Sequence, residues 1–134
     1  QATLNLRLLP GDNEEDALAH LRQAIGNPGV KVTPQANAKE ASPMSSTESV
    51  TFGQLHKTIR EIYPDVVVAP FVLVGSTDTG HYTDLCENIF RFLPARLSER
   101  DTKRFHGIDE RLSLLDYVDM VRFIHQLVKN TSQE

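Results

Sequence analysis

Apolar and polar positions alternate from the first residues of the chain. Thr3, Leu4, Leu6, Leu8 and Leu9 enclose Asn5 and Arg7 with a period near two, which predicts a half-buried strand over Ala2–Leu9, ended by Pro10-Gly11-Asp12. Asp12 stands three residues before Glu15, a capping-box spacing. Beyond it Ala17, Leu18, Leu21, Ala24 and Ile25 recur at intervals of three and four and predict a helix, stopped by Gly26 and Pro28. Val30, Val32 and Pro34 around Lys31 and Thr33 predict a second strand, so the first stretch reads as strand, helix and strand.

Between Gln35 and Glu48 the composition shifts to Ala, Ser, Thr, Asn and Pro, too poor in apolar surface to order itself, and this reads as a crossing between domains. Val50, Phe52, Leu55, Ile59 and Ile62 then form a helical stripe closed by Pro64 after Tyr63. Val66–Ala69 and Phe71–Val74, divided by Pro70, are almost continuously apolar, as strands buried on both faces of a parallel sheet are. Ile89, Phe90 and Phe92 predict another short strand, and Leu93 to Phe105 a long polar connection. Ser113 caps a last predicted helix with Asp116 near its start. Leu115, Val118, Val121, Ile124, Leu127 and Val128 form its expected buried face.

Composition narrows the functional classes. At 134 residues, 40% hydrophobic and 24% charged, the chain falls in the range of one ordinary globular domain or pieces of two. The net charge of -4 is spread out, and no basic cluster able to neutralise phosphates occurs, so nucleic acid is not an expected partner. No apolar run approaches the roughly 20 residues that span a bilayer. Cys86 is the single cysteine, which excludes an internal disulfide and a cysteine-rich metal site. Gln1 is not a Met and the first strand starts at once, the pattern of a truncated or processed chain.

Two segments carry candidate chemistry. Gly75-Ser76-Thr77-Asp78-Thr79-Gly80-His81-Tyr82 is small and polar and directly follows the apolar run, where loops at strand ends receive ligands. Arg104-Phe105-His106-Gly107-Ile108-Asp109-Glu110-Arg111 precedes the last helix. A lone histidine beside acidic residues is more often a hydrogen-bonded surface residue than a ligand, and zinc wants three or four protein ligands. His20 and His56 fall on solvent sides of predicted helices, and His125 falls beside the expected buried stripe.

In their order these segments resemble the di-zinc metallopeptidase family of aminoacylases, acetylornithine and succinyl-diaminopimelate deacylases, and carboxypeptidase S. Leu4-Asn5-Leu6-Arg7-Leu8-Leu9-Pro10-Gly11-Asp12 is similar to a strand and turn of the family's lid. Val74-Gly75-Ser76-Thr77-Asp78 is similar to its Gly-Gly-Thr-Asp loop, while His81-Tyr82 and Arg91-Phe92-Leu93-Pro94 echo the carboxypeptidase S branch. His106-Gly107-Ile108-Asp109-Glu110-Arg111-Leu112 resembles the segment that supplies a late zinc ligand. The resemblance implies an α+β chain. Residues 1–38 would be the C-terminal half of a ferredoxin-like lid, and residues 39–134 the closing section of an α/β di-zinc catalytic domain.

What the resemblance implies about chemistry is residue-specific. His106 would ligate zinc, with Asp109 and Glu110 fixing its loop and supporting the imidazole. Asp78, Gly75, Thr77 and His81 would face the substrate, a small peptide or N-acyl amino acid, where small residues let backbone groups approach. The family commonly places Arg or Lys soon after this Asp to pair with a substrate carboxylate; here Gly80 stands there. The His-x-Asp ligand pair, bridging Asp, adjacent Glu residues and a further carboxylate would lie in a part preceding Gln1. That part would be this chain's first partner. Hydrolysis needs a zinc-bound water, a base and an oxyanion electrophile. With at most one ligand to a pair of zinc ions and no complete catalytic set, the chain alone is expected to be inactive. Two other readings are a dimerisation module pairing through a lid strand edge, and a degraded, non-catalytic parent.

Overall fold

The computed structural model describes residues 1–73, 75 and 77–132. Its elements are α1 (Glu14–Ile25), α2 (Val50–Ile62), a 3-10 turn (Asp78–His81), the one-turn α3 (Glu99–Thr102) and α4 (Leu114–Thr131). They distribute over two compact units: Gln1–Ser45 with Phe71–Ile89, and Ser46–Pro70 with Phe90–Glu134.

No strand occurs among the described residues, which overturns the α+β expectation and its strand-helix-strand lid; the chain is helical. A strand exists only when a second chain segment accepts its backbone hydrogen bonds, and period-two patterning records a half-buried face without supplying that neighbour. Leu4, Leu6 and Leu9 are accordingly exposed. Val66 and Val68 do pack on a core while Val67 is 91% exposed, so this segment is packed on one side without a ladder, not buried on two. Phe71, Val72 and Leu73 are exposed as well, and the expected end of that strand at Val74 lies outside the described residues.

The first unit has no buried residue among those described. Its order is local. Asn13, not Asp12, caps α1: the Asn13 side chain accepts from the Asp16 amide at 2.8 Å, while the Asp12 carboxylate accepts from the Leu9 amide at 3.0 Å. Glu14, Glu15 and Asp16 occupy the first turn, where the helix dipole favours negative charge. Gly26 closes α1 at φ 60, a left-handed conformation costly for other residues. The Ser45 hydroxyl donates to the Ile89 carbonyl at 2.9 Å and accepts from the Ile89 amide at 2.7 Å, joining distant segments of the unit.

The second unit is built on α2 against α4. Both helices start at serines, Ser49 and Ser113, whose hydroxyls accept from the amides of Phe52 and Asp116. Ile59, Tyr63 and Phe123 are buried, with Leu55, Ile62 and Leu127 packed around them. Asn130 reaches from α4 to the buried Thr58 hydroxyl and to Glu61, both at 2.8 Å. Residues 90–96 pack on this pair as an irregular strap instead of the expected strand. Phe90 packs on Phe52 at 5.4 Å and Phe92 on Phe123 at 5.1 Å. The Tyr63 hydroxyl donates to the Pro94 carbonyl at 2.7 Å, and the Arg96 guanidinium grips Asp65 through two bonds of 2.9 and 2.6 Å.

The buried face of α4 is the expected one only at Leu127. Phe123 and Leu127 turn inward, whereas Leu115, Val118, Val121, Ile124 and Val128 are exposed. A helix carries an apolar stripe wide enough for more than one neighbour, and α2 covers only part of it.

Asp116 couples the strap to α4 and sets a pH dependence. Its carboxylate accepts from the Ser113 hydroxyl at 2.5 Å and from the Arg96 amide at 3.0 Å. These bonds, Ser113's first, hold its pKa below the ordinary 3.8. The unfolded chain therefore binds this proton more tightly, and the stabilisation is full above pH 3.8 and lost as pH falls through the lower folded value. Asp65, held by Arg96, and Asp101, held by Ser98, shift in the same direction. Asp116→Asn is expected to melt below wild type at neutral pH, and the gap to close well below pH 3.8. A gap of constant size across an acid series of thermal melts would contradict this.

Candidate functional site

The two candidate segments lie in different units. In the first unit, Thr77 caps the 3-10 turn, its hydroxyl accepting from the Thr79 amide at 3.3 Å. Asp78 opens the turn and His81 ends it, both exposed, and Gly75 is exposed just before; Ser76 lies outside the described residues. A Cβ built on Gly80 meets nothing within 4 Å, so packing does not exclude a larger side chain there.

In the second unit, His106 sits on a tight turn. The Gly107 amide donates to the Arg104 carbonyl at 2.9 Å, closing a four-residue β-turn whose third residue, His106, has φ 59. Asp109 follows at φ 71. Histidine and aspartate reach this left-handed region more readily than most residues, yet each instance costs about 1 to 3 kcal/mol and persists only where the surroundings enforce it. Here the enforcing bonds are local. The Glu110 carboxylate accepts from the His106 backbone amide at 3.2 Å, and the Arg111 guanidinium donates to Asp109 at 3.2 Å. A Cβ on Gly107 would lie 3.2 Å from the Arg104 carbonyl oxygen, so the turn is closed around a residue without a side chain.

Upstream, Ser98 and Asp101 form a capping box at α3. One Asp101 oxygen accepts from the Ser98 amide and hydroxyl at 2.9 and 2.6 Å, and the other accepts from the Arg104 guanidinium at 3.0 Å. The Ser-x-x-Asp spacing of 98–101 carries this cap in the sequence, within the stretch that reads as a polar connection. A cleft of about 160 Å³ in the same unit is lined by Arg96, Asp101, Arg111 and Asp116 among others, and His106 is not on its wall.

The imidazole of His106 is exposed and makes no hydrogen bond among the described residues, the state of a side chain able to accept a metal from outside the unit. Glu110 binds the backbone of His106 instead of its ring. No group of three or more His, Cys, Asp or Glu positioned to hold a metal ion occurs among the described residues. The donors present fit one ligand position of a zinc centre and not a centre of three or four ligands. No helix among the described residues is long and apolar enough to cross a membrane.

No protein-family model matches the chain, and no solved structure does. Curated relatives match over almost all of it. Probable carboxypeptidase S-like 2 of Dictyostelium discoideum is 46% identical over 132 residues, covering 98% of this chain and 25% of that protein. The N-fatty-acyl-amino acid synthase/hydrolase PM20D1 of Homo sapiens is 32% identical over 139 residues, covering 100% of this chain and 28% of that protein. Probable carboxypeptidase S-like 1 of Dictyostelium discoideum is 36% identical over 93 residues, covering 68% of this chain and 19% of that protein. The chain thus spans about a quarter of the length of the first two.

Proposed function

We propose, from the premise that this chain belongs to the family of carboxypeptidase S-like and PM20D1 proteins, that it is the C-terminal part of a zinc-dependent hydrolase of N-acyl amino acids or small dipeptides. The observation that carries the reading is the turn at 104–107, which holds an exposed imidazole on an enforced left-handed residue. His106 supplies one zinc ligand, and Asp109 and Glu110 shape the loop that presents it. The remaining ligands and the general base come from the rest of the hydrolase, so the chain alone does not turn over. Asp78, Gly75, Thr77 and His81 form a substrate-facing loop, without the cation at position 80 that would grip a carboxylate.

The same reading accounts for the uncovered stripe of α4. Leu115, Val118, Val121, Ile124 and Val128 pack against the rest of the hydrolase, which supplies the apolar surface that α2 does not. The deciding experiment compares the full-length protein with the 134-residue chain on N-fatty-acyl amino acids and dipeptides. Full-length protein should hydrolyse at least one class, lose activity to a chelator and regain it with zinc, while the short chain stays inert. Equal activity in the short chain, or full-length activity indifferent to the chelator, would overturn the proposal.

A further inference from the structure

We infer that Arg104 is a positioning residue for His106, an inference that rests on reading His106 as a zinc ligand. Arg104 touches both sides of the turn's support. Its guanidinium is tied to Asp101 at 3.0 Å, and its carbonyl receives the Gly107 amide at 2.9 Å and so closes the turn at His106. Its own amide donates to the Asp101 carbonyl at 3.0 Å, so α3 and the turn share one continuous run of bonds.

The Asp101–Arg104 pair differs from the other ion pairs in exposure. Its side chains are 30% and 26% exposed, whereas Lys103 and Glu99, paired at 2.6 Å on the same helix, are 71% and 83% exposed. Exposed pairs hold geometry weakly because water competes for both charges, and shielded ones hold it better. Asp101 is itself fixed on its other oxygen by Ser98, so Arg104 is anchored to a carboxylate that is not free to follow it. The left-handed φ of His106 needs such an anchor, since the turn would otherwise relax toward the ordinary region.

Residues that orient a ligand without touching the metal typically change metal affinity about 10- to 100-fold. The test uses full-length hydrolase, with zinc release to a chelator and hydrogen exchange at the Gly107 amide as readouts. Arg104→Ala should weaken retention of one zinc by about that factor and speed exchange at Gly107. Arg104→Lys should restore most of both, because a single guanidinium nitrogen makes the contact and an ammonium can replace it. Lys103→Ala, which removes the exposed pair of the same helix, should leave both readouts at wild type. If His106→Ala releases a zinc but Arg104→Ala does not, the positioning role fails and the ligand reading stands. If His106→Ala keeps all its zinc, the ligand reading itself fails. Parallel effects of Arg104→Ala and Lys103→Ala would reduce Arg104 to a general stabiliser of α3 and overturn the inference.

Discussion

On the proposed function, His106→Ala in the full-length protein is expected to release one zinc per chain and to lower kcat by at least about 100-fold, the upper end of what losing a mere orienting residue costs. The expectation follows from how little else this part contributes. The described residues hold no cluster of three donors, and the nearby carboxylates are engaged elsewhere, Glu110 on the His106 amide and Asp109 on Arg111. The imidazole is exposed, and its removal leaves no buried cavity. Thermal stability measured on zinc-free protein should therefore stay close to wild type, apart from a change in left-handed strain at position 106. Metal analysis after gel filtration, steady-state kinetics and a melt of the zinc-free form together decide the matter. A variant that keeps its zinc and its kcat would remove His106 from the site.

Phe123→Ala is expected to have the largest effect on folding. A buried Phe truncated to Ala costs about 3 to 5 kcal/mol, and whole domains are stable by only about 5 to 15 kcal/mol. Phe123 is 2% exposed and forms the buried cluster with Ile59 and Tyr63. The change also strips the partner from Phe92, whose ring lies 5.1 Å away and fastens the strap across α2 and α4. Helical circular dichroism should lose its cooperative melt. Leu115→Ala serves as the counterpart. At 80% exposure it should leave the 134-residue chain unchanged, but cost about 2 to 5 kcal/mol in the full-length protein, where the rest of the chain is proposed to cover that stripe. No effect of Leu115→Ala in either protein would count against that covering.

The helices were legible because their signals are local. Ser49 and Ser113 act three residues from their targets, and Pro64 stops α2 after Tyr63 through contacts with the preceding residue. At α1 the capping-box spacing points to Asp12 and the fold uses Asn13, a shift of one residue between adjacent side chains that can both cap. The strands were not legible. Alternation around Leu4, Leu6 and Leu8 says that one face is apolar, and nothing in it names the segment that would accept the hydrogen bonds.

The candidate site divides the same way. The string from Arg104 to Arg111 marked itself by residue type, and its histidine and aspartate are among the side chains that tolerate a left-handed backbone. The anchor behind it, Asp101 on Arg104, sits in a stretch that looks like plain polar connection because its meaning lies in which oxygen faces which neighbour. What the sequence by itself determined is thus the position of the three long helices, the serine caps of two of them, and the segment that carries His106. All of these depend on interactions closed within about four residues. Only the tertiary structure decided which stripe of α4 is buried and that the apolar segments at Ala2–Leu9 and Val66–Leu73 form no sheet. Those outcomes depend on which partner a surface finds, and a residue pattern describes only one of the two surfaces.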